Sequence, residues 1–228
     1  MTYETVDLKQ LRIHIIQNGI FKENCYIVER IETKFSIIID PGSDAEQIND
    51  YLVNKNLTVE KIILTHGHFD HIGAVDYLTE KNQINCWASA LEKKLIRQAS
   101  IYAFRIANQR LAPPININYF TDNSEISWSG GVISLMSTPG HTSGSLCYVF
   151  DEMAIFTGDT VFNSFIGPSI YTESNYNQLI DSVSYIMKEI DDKCTIFPGH
   201  GKPWLGKPAK AWWEANKKKP PQFRIFDK

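Results

Sequence analysis

Residues 65–71 read Thr65-His66-Gly67-His68-Phe69-Asp70-His71 and directly follow the apolar run Ile62-Ile63-Leu64. Three imidazoles and a carboxylate packed this closely repel one another when charged. They are also costly to desolvate unless a cation collects them. The fold must therefore carry a short strand into a tight loop, which Gly67 permits, and bring further ligands to it. The chain has six histidines. His141 and His200 stand in the turns Thr138-Pro139-Gly140-His141-Thr142-Ser143-Gly144 and Phe197-Pro198-Gly199-His200-Gly201, and only His14 lacks an evident ligand role. Asp159 occupies a similar turn, Phe156-Thr157-Gly158-Asp159-Thr160. This arrangement predicts a two-metal site. His66 and His68 turn to one ion, completed by His141. Asp70 and His71 turn to the second, completed by His200, and Asp159 bridges the two.

The strand and helix pattern supplies such a scaffold. Strands are expected at 11–17, 24–29 and 35–40, the last ending in the turn Asp40-Pro41-Gly42. A helix opens at Ser43-Asp44, with Ile48, Tyr51 and Leu52 on one face. A strand at 61–65 delivers the histidine cluster, followed by a helix at 72–81 and a strand at 84–88. Over 90–111, Leu91, Leu95, Ile96, Ala99, Tyr102, Ala103, Ile106 and Ala107 recur at helical spacing, which predicts a long amphipathic helix or a pair of shorter ones stopped by Pro113-Pro114. Strands near 125–128, 132–137, 145–150 and 153–156, a helix at 175–190, a strand at 194–197 and a helical piece at 209–217 complete the pattern. No repeat or low-complexity linker interrupts it, so residues 1–228 are expected to form one domain with two sheets and covering helices.

With 228 residues, 43% of them hydrophobic and 21% charged, the chain is long enough for a substantial core. A net charge of −3 gives no reason to expect nucleic acid or an anionic membrane as partner. The first residues lack the basic and apolar regions of a signal peptide, and no apolar run approaches the roughly 18 residues of a membrane span. The expected location is cytoplasmic. Cys25, Cys86, Cys147 and Cys194 show no C-x-x-C spacing and are expected to be buried free thiols.

The cluster His66, His68, Asp70 and His71, with His141, Asp159 and His200 following in order, resembles the metallo-β-lactamase-fold hydrolases over nearly the whole chain. The resemblance implies an α+β fold, an αββα four-layer sandwich of two mixed sheets flanked by helices, with a helical insertion at about 90–118. The turns around Asp159, His141 and His200 look most like the glyoxalase II branch, which hydrolyses glutathione thioesters. That likeness implies a hydrolase of small acyl thioesters or esters, using two divalent ions, zinc first and iron or manganese as alternatives, that share a bridging hydroxide. Asp70 would orient the nucleophile and pass on its proton, and Asp40 would accept a hydrogen bond from a ligand imidazole. Rival readings are a mononuclear iron persulfide dioxygenase, a lactonase, a phosphodiesterase or ribonuclease, and a non-catalytic binding module.

The match frays in two places. Pro168 stands where glutathione-specific members carry Lys or Arg, and the 28 residues after His200 are too few for that branch's carboxyl-terminal helical domain. The segment 90–118 has two readings, a lid with Tyr102, Phe104 and Arg105 lining a pocket, or a surface helix packed on the core; the second is preferred. Tyr171 is a candidate donor to the oxyanion, against a structural role. Lys217-Lys218-Lys219 reads as a solvated helix end, Trp212-Trp213 as an anchor for the last helix, and His14 as a surface or core histidine. The expected partner is a small-molecule substrate.

Overall fold

β-Branched residues crowd the amino-terminal half, where stiff χ1 angles suit a pleated, buried surface. In the computed structural model, which describes residues 2–120 and 125–223, they build β1 (Thr2–Leu8), β2 (Leu11–Asn18), β3 (Glu23–Arg30) and β4 (Phe35–Ile39), an antiparallel meander. The chain then changes to parallel pairing. The helix α1 (Ala45–Lys55) crosses to β5 (Thr58–Ile63), α2 (Phe69–Ile72) and α3 (Val75–Asn82) lead to β6 (Asn85–Ser89), and α4 (Lys93–Ala107) leads to β7 (Ile117–Phe120). Strand order in this seven-stranded sheet follows chain order. One sheet face, with Ile16, Cys25, Ile27, Ile38, Ile62 and Cys86, packs against Ile48 and Leu52 of α1, Val75 and Leu78 of α3, and Ile96, Ala99 and Ala103 of α4. Each large aliphatic buried this way contributes about 1.5–3 kcal/mol.

A second sheet is built from β8 (Glu125–Trp128), β9 (Gly131–Ser137), β10 (Leu146–Phe150) and β11 (Ala154–Gly158), then, beyond the hairpin of β12 (Val161–Phe162) and β13 (Phe165–Ile166), from β14 (Thr195–Pro198) and β15 (Trp204–Leu205). It too is mixed: β14 runs parallel to β11, whereas β10 is antiparallel to both β9 and β11, and β15 to β14. The helix α5 (Tyr176–Glu189) covers it with Leu179, Val183, Ile186 and Met187, and α6 (Gly206–Asn216) with Ala209 and Trp213. The two sheets belong to two compact units, with Trp128–Gly131 counted in the first.

Most expected elements are present with ends moved by a few residues. The expected helix at 72–81 is α3, which begins three residues later, and the short α2 precedes it. The long helix does not run to Pro113-Pro114 but stops at Ala107, where Asn108 turns left-handed (φ 52°) and its N–H caps the carbonyls of Ala103 and Phe104. Unanticipated strands are β1, β7, β12, β13 and β15. All four cysteines are free and buried. Among the described residues no helix is long and apolar enough to cross a membrane.

Candidate metal centre

Parallel strands point their carboxyl ends the same way, and loops leaving those ends carry most of the chemistry-bearing side chains. In the first unit, Asp40 follows β4 and the histidine loop follows β5, its parallel neighbour. Asp40 adopts a left-handed conformation (φ 50°), and its carboxylate accepts the backbone N–H of Thr65 at 2.7 Å and the Thr65 hydroxyl. His71 Nδ1 lies 3.1 Å from the same carboxylate. A carboxylate only accepts, so Nδ1 carries the proton and Nε2 presents a lone pair. The Thr65 hydroxyl spends its proton on Asp40 and so accepts from His66 Nδ1, 3.0 Å away. That leaves His66 Nε2 basic as well.

His66 Nε2 faces His68 Nδ1 at 3.1 Å, a separation suited to one shared proton or one shared cation. Asp70 Oδ2 is 3.8 Å from His71 Nε2. All four cluster residues and Asp40 are buried. Asp40, His66 and His71 each offer a donor atom within 4.8 Å of the others.

The loop is clamped from behind. Gly67 N–H donates to Glu92 Oε2 at 2.7 Å, and a Cβ on Gly67 would come within 2.8 Å of Ile96 Cγ1 on α4. Glycine is needed here for close approach, since its φ is not positive. Gly42 is confined in the same way, because a Cβ there would lie 1.7 Å from the Asp70 carbonyl oxygen and 2.8 Å from Glu23 Cγ. Burial pushes the Glu23 carboxyl up to about 7, and the neighbouring Asp70 charge pushes in the same direction.

In the second unit, β11 and β14 run parallel and end together, with Gly199 N–H bonded to the Gly158 carbonyl at 2.8 Å. Asp159 and His200 therefore leave adjacent strand ends. His141 sits in the turn after β9. Asp159 Oδ2 lies 3.7 Å from His141 Nε2 and 3.6 Å from His200 Nε2. Those separations exceed a hydrogen bond. They suit donors each about 2.0–2.1 Å from a shared tetrahedral ion, which places donors roughly 3.3–3.5 Å apart. His141 Nδ1 is held 2.9 Å from the Pro168 carbonyl oxygen, so again Nε2 is the free donor. The donor types, their burial and the locked tautomers fit divalent metal in both sets.

All seven expected ligands lie buried just beyond strand ends, His66 and His68 in a loop and Asp70 and His71 in α2 of the first unit, and His141, Asp159 and His200 in loops of the second. Asp40, expected to accept from a ligand imidazole, lies 3.1 Å from His71 Nδ1. Tyr171 meets His141 edge-on, ring centroids 6.1 Å apart. Tyr102 packs half-buried on the core, whereas Phe104 and Arg105 point to solvent, which agrees with the surface-helix reading. Lys217 pairs with Glu214 at an exposed helix end, and Trp213 is buried. His14 is a core residue, with Nε2 2.7 Å from Glu29 and Nδ1 3.0 Å from the Tyr51 hydroxyl. Thr65, Glu92, Glu23 and the Pro168 carbonyl escaped the sequence reading. Each supports a neighbour, a role that carries no residue-type signature.

The profile of the Metallo-beta-lactamase superfamily matches residues 18–200. The chain is 31% identical over 176 residues to "Probable polyketide biosynthesis zinc-dependent hydrolase PksB" of Bacillus subtilis, covering 77% of this chain and 72% of that one. It is 30% identical over 194 residues to "Hydroxyacylglutathione hydrolase GloC" of Haemophilus influenzae, covering 84% and 91%. Among solved structures, "Crystal structure of TTHA1623 in a di-iron-bound form" superposes with a TM-score of 0.75 at 25% identity, covering 85% of this chain and 94% of that one.

Proposed function

The chain belongs to the metallo-beta-lactamase superfamily of metal-dependent hydrolases, and from that premise we propose that it hydrolyses small acyl thioesters or esters with the help of two divalent ions. The observation that carries the reading is the fixed tautomers. Asp40, Thr65 and the Pro168 carbonyl engage Nδ1 of His71, His66 and His141, and leave three basic Nε2 atoms. Bound there, two divalent ions (zinc first, iron or manganese as alternatives) lower the pKa of water from roughly 15.7 to about 7 and polarise a carbonyl.

The protein's own groups do the rest. Asp70 holds the attacking water by a carboxylate oxygen and takes its proton. The Asp70 and Asp159 carboxylates supply negative charge and the imidazoles supply neutral lone pairs that would retain cations, and the Gly67–Glu92 clamp fixes the loop. Tyr171 donates its O–H to the substrate carbonyl oxygen. The names of the relatives support zinc and support a thioester, and the di-iron neighbour supports two ions.

The test is elemental analysis of the purified protein followed by a panel of thioesters, lactones, β-lactams and bis-p-nitrophenyl phosphate. Two ions per chain and preference for simple thioesters are expected, with S-lactoylglutathione a poor substrate because Pro168 offers no charge. One iron per chain with oxygen uptake on glutathione persulfide, or cleavage of the phosphodiester alone, would overturn the reading.

A further inference from the structure

From residue 93 to residue 121 the chain has five cations, Lys93, Lys94, Arg97, Arg105 and Arg110, and no Asp or Glu, although the whole molecule carries −3. All five are exposed. Four of them lie on α4, Lys93 and Lys94 four and three residues before Arg97 and Arg105 eight after it, spacings that keep all four on one helix face. The opposite face, Leu95, Ile96, Ala99 and Ala103, is buried in the core. Between the cations two large apolar side chains also face outward, Ile101 at 52% exposure and Phe104 at 63%. Among the described residues no carboxylate forms an ion pair with any of these cations. The face therefore joins cationic charge to an exposed aromatic and an exposed aliphatic, the composition of a protein-docking surface.

The position of α4 gives that surface a purpose. Glu92, immediately before the helix, holds the Gly67 amide, and Ile96 in its first turns abuts Gly67. A partner docked on the outward face therefore sits on the helix whose buried side braces the loop of His66 and His68.

We propose that the outward face of α4 docks an acidic carrier protein that presents the acyl group as a thioester. The proposal rests on the thioester reading above and supplies its substrate class. Charge complementarity selects an acidic partner. Arg97 falls between Ile101 and Phe104 around the helix, so no unbroken apolar strip exists for insertion into lipid. A face about 22 Å long suits a small, transient interface, as a carrier that must leave after each turnover requires.

The metal-loaded full chain is assayed on an acetyl thioester borne by an acyl carrier protein, and on the acetyl thioesters of free pantetheine and coenzyme A. The expected kcat/KM on the carrier substrate is about tenfold or more above free pantetheine at low salt, shrinking severalfold by about 0.3 M NaCl. R97E/R105E should erase that advantage and leave the pantetheine rate within about twofold, and Phe104→Ala should reduce it. Equal rates on carrier and pantetheine in the wild type overturn the proposal. So does an equal gain for coenzyme A, or a variant that slows both substrates alike. If no thioester is cleaved, the functional reading fails by itself. Docking is then judged by fluorescence anisotropy of labelled carrier protein. Salt-sensitive binding weakened about tenfold in R97E/R105E supports it, whereas no binding, or preference for anionic vesicles or single-stranded RNA, overturns it.

Discussion

Asp40 governs three groups at once: the Thr65 amide, the Thr65 hydroxyl and His71 Nδ1. Asparagine tolerates the left-handed backbone there, so Asp40→Asn keeps the fold. Its amide NH₂ favours the opposite tautomer of His71, with the proton on Nε2, where no ion can bind. Metal affinity should fall about 10–100-fold with little change in Tm, measured by competition with a chromogenic chelator. Unchanged affinity would show that Asp40 is not the orienting group. Asp40 was legible in the sequence because it closes an apolar run at a Pro-Gly turn. Thr65, Glu92 and the Pro168 carbonyl were not, since a backbone acceptor or a buried clamp looks like any other residue until neighbours are known.

His14 makes a separate, testable contribution to stability. Burial holds its imidazole below the ordinary value of 6.5, opposed by the Glu29 carboxylate. Burial alone would raise Glu29, but Lys34 and His14 outweigh it and hold that carboxyl below 4.5. As pH falls below about 6.5 the unfolded chain takes up the His14 proton before the folded chain does, so stability drops. The Glu29 contribution is lost at still lower pH. The Tm advantage of wild type over His14→Gln should therefore be larger at about pH 7.5 than at about pH 5, with metal content unaffected. An advantage that grows on acidification would mean His14 is charged in the folded protein.

Secondary structure was legible where side chains alternate or repeat strongly. The isoleucine strands β2, β3 and β4 and the amphipathic α5 stand out because each buries a regular set of apolar positions. β1 does not, because its Thr, Glu and Asp side chains are mostly exposed and its pairing with β2 supplies the order. The two-residue strands are too short to show any period. α4 shows how an element is tied to chemistry it does not itself perform. Gly67 meets it so closely that Gly67→Ala must displace Ile96 or Glu92. Overpacking of this kind should destabilise by about 1–3 kcal/mol and weaken metal binding through the histidine loop, followed by thermal melts and calorimetric titration with zinc. If both are unchanged, the clamp does not set the loop.

Of the residues expected as ligands, four lie in the first unit and three in the second. Ions that bind only the folded chain stabilise it by about 2.7 kcal/mol at a hundredfold excess over Kd. For a chain of this length that corresponds to a rise in Tm of roughly 5–10 °C. Stripping metal with EDTA should lower Tm by that amount, and zinc should restore it. His66→Ala in the first set and His141→Ala or Asp159→Ala in the second should each abolish hydrolysis, lower bound metal and remove most of the zinc-dependent rise. Retention of full metal content and activity by Asp159→Ala would overturn the proposed two-ion hydrolysis.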